Sequence, residues 1–171
     1  MPYGEKSNLS YLFFYGFTLP NAPQPIDYYW YIRGHKVSIT MPVDLTKSIY
    51  AYRLNNSKVM VSLKDEIESL KALLKTLRFY YSSYDSKLEE DKAKLKTTKV
   101  QKDFNLTNIY RILIEEKEMI LENKRQIKNF IKILTADSIS TIKTKLNELS
   151  SKNSKNPSEY VNNLINFFSK V

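Results

Sequence analysis

The stretch Tyr3–Phe17, YGEKSNLSYLFFYGF, contains the residues of this sequence whose types and spacing are best suited to chemistry. Ser7 or Asn8 can accept a hydrogen bond from the free amides of a first helical turn, and Gly16 follows as a left-handed stop. The pattern predicts a short helix with one tyrosine before it and another, Tyr15, at its end. Taken alone, an apolar helix with aromatic ends is more often a piece of core than a site. The apolar residues at helical spacing are Leu9, Leu12 and Phe13.

The same string, written Y-G-x-K-S-N-x-x-x-L-x-x-Y-G-F, resembles the closing motif of a SET methyltransferase domain. It looks like the subclass with a helical C-terminal domain, which includes the Rubisco large-subunit lysine methyltransferase and the actin-histidine methyltransferase. The resemblance implies that Tyr3 is the catalytic tyrosine, that Tyr15 lines the channel for the target side chain, and that Phe17 packs near the adenine of S-adenosylmethionine. A phenolic hydroxyl such as that of Tyr3 could orient the nucleophile, while aromatic walls exclude water.

Other parts of such an enzyme are missing from the sequence. The family's glycine-containing cofactor loop and its Asn-His pair would lie before residue 1, and no copy of either occurs later. Three glycines make no glycine-rich loop, and one histidine without cysteine gives neither a zinc cluster nor a Cys/His nucleophile pair. We therefore interpret residues 1–17 as the C-terminal remnant of a SET domain, 18–26 as a connector and 27–171 as a helical Rubisco-methyltransferase-like substrate-binding domain.

This interpretation fixes the expected activity and partners. The parent protein is expected to transfer a methyl group from S-adenosylmethionine to a protein lysine, with a histidine nitrogen as the alternative. The chain alone is expected to be inactive and to hold neither S-adenosylmethionine nor a metal. Its expected partners are the protein substrate and the missing SET core, and it could self-associate through exposed residues within 9–17.

Composition bounds the other function classes. The chain has 171 residues, of which 42% are hydrophobic and 26% charged, as expected for one globular domain. The net charge of +9 leaves a basic helical module that binds protein or nucleic acid as the alternative function. Lysines spread between glutamates favour a solvated surface over a nucleic-acid site. The absence of cysteine and of a long apolar run predicts an intracellular protein, nuclear or cytoplasmic, with an organelle left open.

A β-hairpin is predicted after the connector. Three prolines make Thr18–Ile26 extended, and Asp27–Met41 then alternates in the manner of strands, with Arg33–Lys36 as the turn. His35 is expected to be an exposed turn residue rather than a base or ligand. Asp44 is expected to cap a short helix that runs to Tyr52. The expected inward positions of the hairpin are Tyr29, Tyr31, Val37, Ile39 and Met41.

Two long antiparallel helices form the rest of the predicted framework. Ser62 with Asp65 resembles a capping box, and a polar link at Lys96–Asp103 separates the first helix from the second, at about Asn105–Leu134. The first apolar seam consists of Ile67, Leu70, Leu74, Leu77, Tyr81, Tyr84 and Leu88. The second consists of Ile109, Leu113, Ile120, Ile127, Phe130 and Leu134, with interruptions at Glu116 and Asn123.

The resemblance resumes in these helices. Tyr84–Leu95 resembles the Tyr-x-Thr-x-x-Glu-Glu-Asp-x-x-x-Leu element of the family's C-terminal domain, with Ser86 where the family has threonine. Tyr110–Leu121 resembles its Arg-x-x-Glu-Lys-x-Ile-Leu helix. The acidic run is interpreted as a solvated helix face or a helix-cap network rather than a catalytic pair of carboxylates; it consists of Glu89, Glu90 and Asp91.

Two further helices complete the prediction. One starts at Asp137 or Ser138, and the last follows the Asn156–Glu159 segment, which provides a cap, a first-turn proline and an early negative charge. The predicted fold class is therefore mainly α, a helical substrate-binding domain with long antiparallel helices, a small β-hairpin near its N-terminus and a short SET remnant. The apolar positions of the last two helices are Ile139, Ile142, Leu146, Leu149, Val161, Leu164, Ile165 and Phe168.

Overall fold

The computed structural model describes residues 8–20, 26–32, 35–41, 43–99, 102–152 and 158–170. Within these ranges the chain forms seven α-helices and a two-stranded antiparallel sheet, which confirms the mainly helical fold class. The helices are α1 (Asn8–Tyr15), α2 (Thr46–Ile49), α3 (Leu63–Ser82), α4 (Leu88–Thr97), α5 (Phe104–Leu134), α6 (Ile139–Lys152) and α7 (Glu159–Phe168). None of the described helices is long and apolar enough to cross a bilayer.

The two paired strands of the predicted hairpin are present, and the second begins one residue earlier than the end of the predicted turn. Strand β1 (Ile26–Ile32) pairs with β2 (His35–Met41), and the register places Ile32 opposite His35. His35 therefore begins a strand instead of standing in the predicted turn, because the pairing of the two strands extends to this residue. Ile39 is buried, as its inward assignment predicted. The side chains of the other four inward candidates lie outside what the structure describes.

Of the caps predicted before α2 and α3, only the second is confirmed. Asp44 Oδ1 accepts hydrogen bonds from the backbone nitrogen and the hydroxyl of Thr46, at 3.0 and 2.8 Å, but the N-cap residue of α2 is Leu45, and this helix ends at Ile49 instead of continuing to Tyr52. Ser62 Oγ accepts from the backbone nitrogen of Asp65 at 3.1 Å, and this contact caps α3. The Asp65 carboxylate accepts a hydrogen bond from the backbone nitrogen of Leu54, at 3.3 Å. This bond joins the segment before α3 to the first turn of α3.

The main packing contact joins α3 and α5. Lys124 lies over the ring of Tyr81 near the end of α3, whereas Tyr84, just after α3, donates to Glu116, so the contacts move back along α5 as the chain advances. The two helices are therefore antiparallel, as predicted. Their buried apolar residues form the centre of the core: Leu70, Leu73, Leu74, Leu77, Ile120, Ile127, Phe130 and Leu134.

The first predicted seam does not run along a single helix. Helix α3 ends at Ser82, and α4 starts only at Leu88. Both the backbone nitrogen and the hydroxyl of Ser83 donate to the Tyr80 carbonyl, at 3.1 and 2.7 Å. Serine hydroxyls that bond to nearby carbonyls compete with the helical ladder, which explains the stop.

The second predicted stripe holds only in the C-terminal half of α5. Ile109 is 48% exposed and Leu113 is half-buried. The N-terminal half of this helix instead buries polar side chains, because polar partners from the α1 end of the chain and from α4 pack there. The buried polar residues of this half are Thr107, Asn108 and Lys117, and one more, Asn123, lies among the apolar residues of the C-terminal half.

Helices α6 and α7 close the core from the other side. Ser138 Oγ accepts from the backbone nitrogen of Thr141 at 3.2 Å, as expected for the start of α6. Tyr160 on α7 is buried, packs edge-to-face on Phe130 with ring centroids 4.9 Å apart, and donates to Glu66 at 2.6 Å. These contacts fix α7 against α3 and α5. The other buried residues of the two helices are Ile142, Leu146, Val161, Leu164 and Phe168.

Replacing Leu74 by alanine tests the helix pair. Leu74 is 6% exposed, and its loss should lower the free energy of unfolding by about 2 to 5 kcal/mol because it leaves a cavity. Leu54→Ala is the control, since Leu54 is 59% exposed and its removal should cost less than about 0.5 kcal/mol. Urea denaturation of both variants gives the comparison. Equal, small losses would place Leu74 on the surface and contradict the packing of α3 on α5.

Candidate functional site

The predicted site residues Tyr15 and Phe17 lie together in an aromatic cluster at the end of α1. The Tyr11 ring stacks on Phe17 with centroids 5.7 Å apart, and Tyr15 lies 6.2 Å from Tyr11 and 6.0 Å from Phe17. Gly16 has a φ of +76°, the left-handed conformation that glycine adopts without strain. The helix therefore ends in a turn that brings Phe17 back against Tyr11.

Tyr3 lies outside the described residues, so its catalytic role stays a prediction. Of its expected partners, Tyr15 is 41% exposed and Phe17 is half-buried, so both present aromatic surface to solvent. The side of α1 that faces away from the core is also apolar. The sequence analysis predicted such exposed apolar residues within 9–17. Its exposed residues are Leu9 (44%), Phe13 (82%) and Phe14 (66%).

Side-chain hydrogen bonds hold the chain that leaves α1 against α5. The Asn8 side chain donates to the Leu19 carbonyl at 3.0 Å and accepts from the Leu19 nitrogen at 2.7 Å. Thr18 donates its backbone nitrogen and its hydroxyl to Asn108 Oδ1, at 3.1 and 2.7 Å. Arg111 Nη1 donates to the Thr18 carbonyl at 3.1 Å. The beginning of the connector is thus fixed on the helical domain by polar groups that are mostly shielded from water.

Glu115 is a buried carboxylate in the same face of α5. Neither of its side-chain oxygens has a hydrogen-bond partner, although Asn8 approaches closely enough to lower the pKa somewhat. Burial dominates and, together with the negative charges of Glu116 and Glu118, raises the pKa of Glu115 to about 7. This carboxyl group therefore changes charge near neutral pH, beside the segment that joins α1 to the rest of the chain.

The raised pKa of Glu115 predicts a pH-dependent stability. As the pH rises from the unfolded value of 4.5 to about 7, the unfolded chain loses a proton that the folded chain keeps, so stability falls across this range. Glu115→Gln removes this loss, because glutamine has no proton to lose. After allowance for solvent screening, the substitution should raise the free energy of unfolding by about 1 to 2 kcal/mol more at pH 8 than at pH 5. Glu148→Gln, at an exposed position of α6, is the control.

Urea denaturation at the two pH values measures this difference. A gain for Glu115→Gln that is the same at pH 5 and pH 8 would contradict the assignment, because the glutamine would then act by packing and not by removing a charge.

A second buried polar network joins α4 to α5. Lys117 Nζ donates to the Ser86 carbonyl at 2.7 Å, to Ser86 Oγ at 2.9 Å and to Asp91 Oδ2. Ser86 Oγ donates to Asp91 Oδ1 at 2.6 Å, and the ammonium group lies 4.8 Å from the centre of the Tyr84 ring. The side chains of Lys117 and Asp91 are 0% and 1% exposed. Burial alone would raise the pKa of Asp91, but the bonds from Lys117 and Ser86 hold it below its usual value.

This network corrects the interpretation of the acidic run. Glu89 and Glu90 are exposed, as a solvated helix face predicts, whereas Asp91 is buried because Lys117 lies opposite it. All three N–H groups of Lys117 and both oxygens of Asp91 have partners, so the pair serves to join two helices rather than to act on a substrate. Ser86 contributes only its hydroxyl and its backbone carbonyl to the network. Threonine, which the family that this segment resembles has at this position, carries the same two groups.

Removing Lys117 should destabilise the chain strongly. Lys117→Met leaves the Asp91 carboxylate buried without its counter-charge, which should cost about 3 to 5 kcal/mol. The double variant Asp91→Asn/Lys117→Met should regain a large part of this loss, because no net charge is then buried. Lys92→Met is the control, since its pair with Glu118 is partly exposed and should contribute less than about 1 kcal/mol. Equal stability of Lys117→Met and Lys92→Met in urea denaturation would contradict a buried pair.

Tyr15 and Phe17 keep part of their rings exposed at the end of α1, whereas the ring of Tyr11 beside them is buried. The role of Phe17 beside the adenine of a cofactor stays a prediction. In the described part of the chain, no three His, Cys, Asp or Glu side chains are grouped so that they could hold a metal ion.

Comparison with known families supports the helical half of the sequence prediction. The family model for Rubisco LSMT substrate-binding domains matches residues 43–120, just under half of the chain. The matched segment runs from the residues before α2 to the middle of α5 and includes both Asp91 and Lys117. It supports the interpretation of this segment as a methyltransferase substrate-binding domain. No curated protein and no solved structure matches the chain.

The sequence analysis missed the polar contacts that support α1. Asn108, Arg111 and Glu115 were not singled out, although their spacing of three and four residues places them on one face of α5. That spacing is the signal that could have found them, because polar residues at helical intervals beside an apolar stripe indicate a second, polar contact. Thr18, the partner of Asn108 and Arg111, is too distant in sequence for any local pattern to identify.

Proposed function

We propose that this chain is the substrate-binding and structural C-terminal part of a protein methyltransferase that uses S-adenosylmethionine, with lysine as the target residue. The match of residues 43–120 to the Rubisco LSMT substrate-binding family is the observation that carries the proposal. The motifs that resemble the family supply four members of one buried network: Tyr84, Ser86 and Asp91 from the first, and Lys117 from the second.

The geometry of α1 supports the proposal further. The resemblance implies that α1 is the last helix of a SET domain. Thr18, which follows α1, donates to Asn108 and accepts from Arg111, and these hydrogen bonds hold the end of the segment on α5. A catalytic segment held in this way keeps a defined position relative to the domain that binds the substrate. Small displacements of reacting groups cost large factors in rate, so such a support contributes directly to turnover.

The proposed roles of the site residues follow from their chemistry. Tyr3 would hold the target amine by its hydroxyl, Tyr15 would line the channel that admits the amine, and Phe17 would stack beside the adenine. S-adenosylmethionine supplies the methyl group. The exposed apolar side of α1 would pack against the remainder of the catalytic domain, which explains why phenylalanines stand on the outside of this helix.

Surface charges favour a protein partner over nucleic acid. Several exposed cations of the helical domain pair with carboxylates, as in Lys71–Glu68, Lys92–Glu118 and Arg125–Glu122. A nucleic acid gains much of its affinity for a protein from lysine and arginine side chains that replace the counterions of its phosphates. Interspersed carboxylates oppose that mode of binding, whereas a protein substrate accommodates charges of both signs.

Substitution of Tyr3 in the longer protein that this proposal implies tests the assignment. Tyr3→Phe should lower transfer of a radiolabelled methyl group to protein by about 100-fold or more, because only the orienting hydroxyl is lost. Its affinity for S-adenosylmethionine in calorimetry should stay near that of the unsubstituted protein. Tyr50→Phe, at a partly exposed position between α2 and α3, is the control and should keep full turnover. Unchanged turnover of the Tyr3 variant would remove the catalytic assignment.

A further inference from the structure

A group of positive charges lies along one edge of the contact between α3 and α5. It consists of Arg78 on α3 and of Lys124 and Lys128 on α5, with the Tyr81 ring between the helices, and we refer to these four residues as the cationic cluster. Lys124 and Lys128 are four residues apart and so stand on the same face of α5. Arg78 and Tyr81 are three residues apart on α3, and the antiparallel packing brings the two faces together.

The centre of the cluster is held in place by packing. Lys124 Nζ lies 4.6 Å from the centre of the Tyr81 ring, and both side chains are half-buried. Burial, and then the positive charges of Lys128 and Arg78, lower the pKa of Lys124. The three cations are therefore close enough to repel one another, while the aromatic ring offsets part of the repulsion.

The cluster differs from the rest of the charged surface. In the part of the chain that the structure describes, Arg78, Lys124 and Lys128 form no ion pair with a carboxylate, whereas Lys71, Lys92 and Arg125 do so. Like charges without a counter-charge destabilise the folded chain. A bound anion would remove this repulsion and would gain from a partly desolvated ammonium group whose position is already fixed.

We propose that the cationic cluster binds an acidic segment of a protein, with Arg78 and Lys128 as the exposed contacts and Lys124 as the fixed one. The inference rests on the proposed function, because it identifies an acidic stretch of the protein substrate as what this face of the domain recognises. Arg78 presents a planar guanidinium that matches a carboxylate with two parallel hydrogen bonds. Lys124 presents its ammonium group beside the aromatic ring of Tyr81, so its side chain is already ordered and loses little conformational entropy on binding.

The extent of the cluster favours carboxylates over a nucleic acid. Two of the three cations, Lys124 and Lys128, are only about one helical turn apart on α5, and the neighbouring surface of this helix carries the Glu122–Arg125 pair. A nucleic-acid backbone needs a longer run of free cations to gain affinity by counterion release. A short acidic peptide needs only a few carboxylates placed at the spacing of this cluster.

Fluorescence anisotropy with labelled peptides tests the proposal on the 171-residue chain. The probe is a fluorescein-labelled ten-residue peptide of alternating glutamate and serine, and its control contains glutamine in place of glutamate. The glutamate peptide should bind and the glutamine peptide should not. Arg78→Gln/Lys124→Gln/Lys128→Gln should weaken binding by at least about 5-fold, the loss expected for three partly exposed charge pairs.

A matched variant separates the cluster from net charge. Lys96→Gln/Lys99→Gln/Lys102→Gln also removes three positive charges, from exposed positions in and after α4, and should keep the affinity of the original chain. Thermal melts of both variants check that each is folded, and Lys128→Gln alone gives a milder test of the cluster. Equal weakening in the two triple variants, or equal binding of the two peptides, would overturn the proposal.

A labelled single-stranded oligonucleotide distinguishes the other class of partner. This probe could bind more tightly than the glutamate peptide and lose its binding only in the cluster variant. That result would identify nucleic acid as the partner of the cluster and overturn the proposal. Failure of methyl transfer with cluster-dependent peptide binding intact would contradict the proposed function only. Methyl transfer without such peptide binding would contradict only the inference about the cluster.

Discussion

The burial of one apolar seam between α3 and α5 is the interaction on which the other contacts of this structure depend. Each large side chain removed from water there contributes about 1.5 to 3 kcal/mol, which neither helix gains alone. Three other helices attach to this pair: α7 through Tyr160, α4 through Asp91, and α1 through Thr18. Without the seam, none of these attachment points would have a fixed position.

Helix α5 has two different halves, and the difference explains how it supports both a core and a site. Its C-terminal half packs by apolar surface, which tolerates small shifts along the helix axis. Its N-terminal half packs through Asn108, Arg111 and Lys117, each of which needs a particular partner. A shift of one residue would leave buried charges and amides unpaired at high cost. The polar half therefore fixes the register that the apolar half leaves less well defined.

Most of the framework could be predicted from local patterns. The caps at Ser62 and Ser138, the glycine stop at Gly16 and the antiparallel helix pair follow from residue types and spacing alone. The stop after Ser82 was not predicted, because the apolar spacing continues through Tyr84 to Leu88 while the backbone does not. Periodicity records which face is apolar and carries little information about where a helix is interrupted.

The candidate site was less predictable for a different physical reason. The proximity of Tyr15 and Phe17 follows from a local turn, but the support of that turn by Asn108 joins residues 90 positions apart. Similarly, Asp91 looks like one more acid in a solvated run until Lys117 is placed opposite it. A single sequence shows the residue types of such pairs without showing which of them meet.

The burial of Lys117 also gives the chain an internal chemical reporter. An amine reacts with an acylating reagent only when it is unprotonated and accessible, and this ammonium group is enclosed by Ser86, Asp91 and the Tyr84 ring. Lysines on the surface, such as Lys128, are acylated from the folded state. Acylation of Lys117 has to wait until α4 separates from α5, so mass spectrometry of this one amine over time would count the openings of that contact under native conditions.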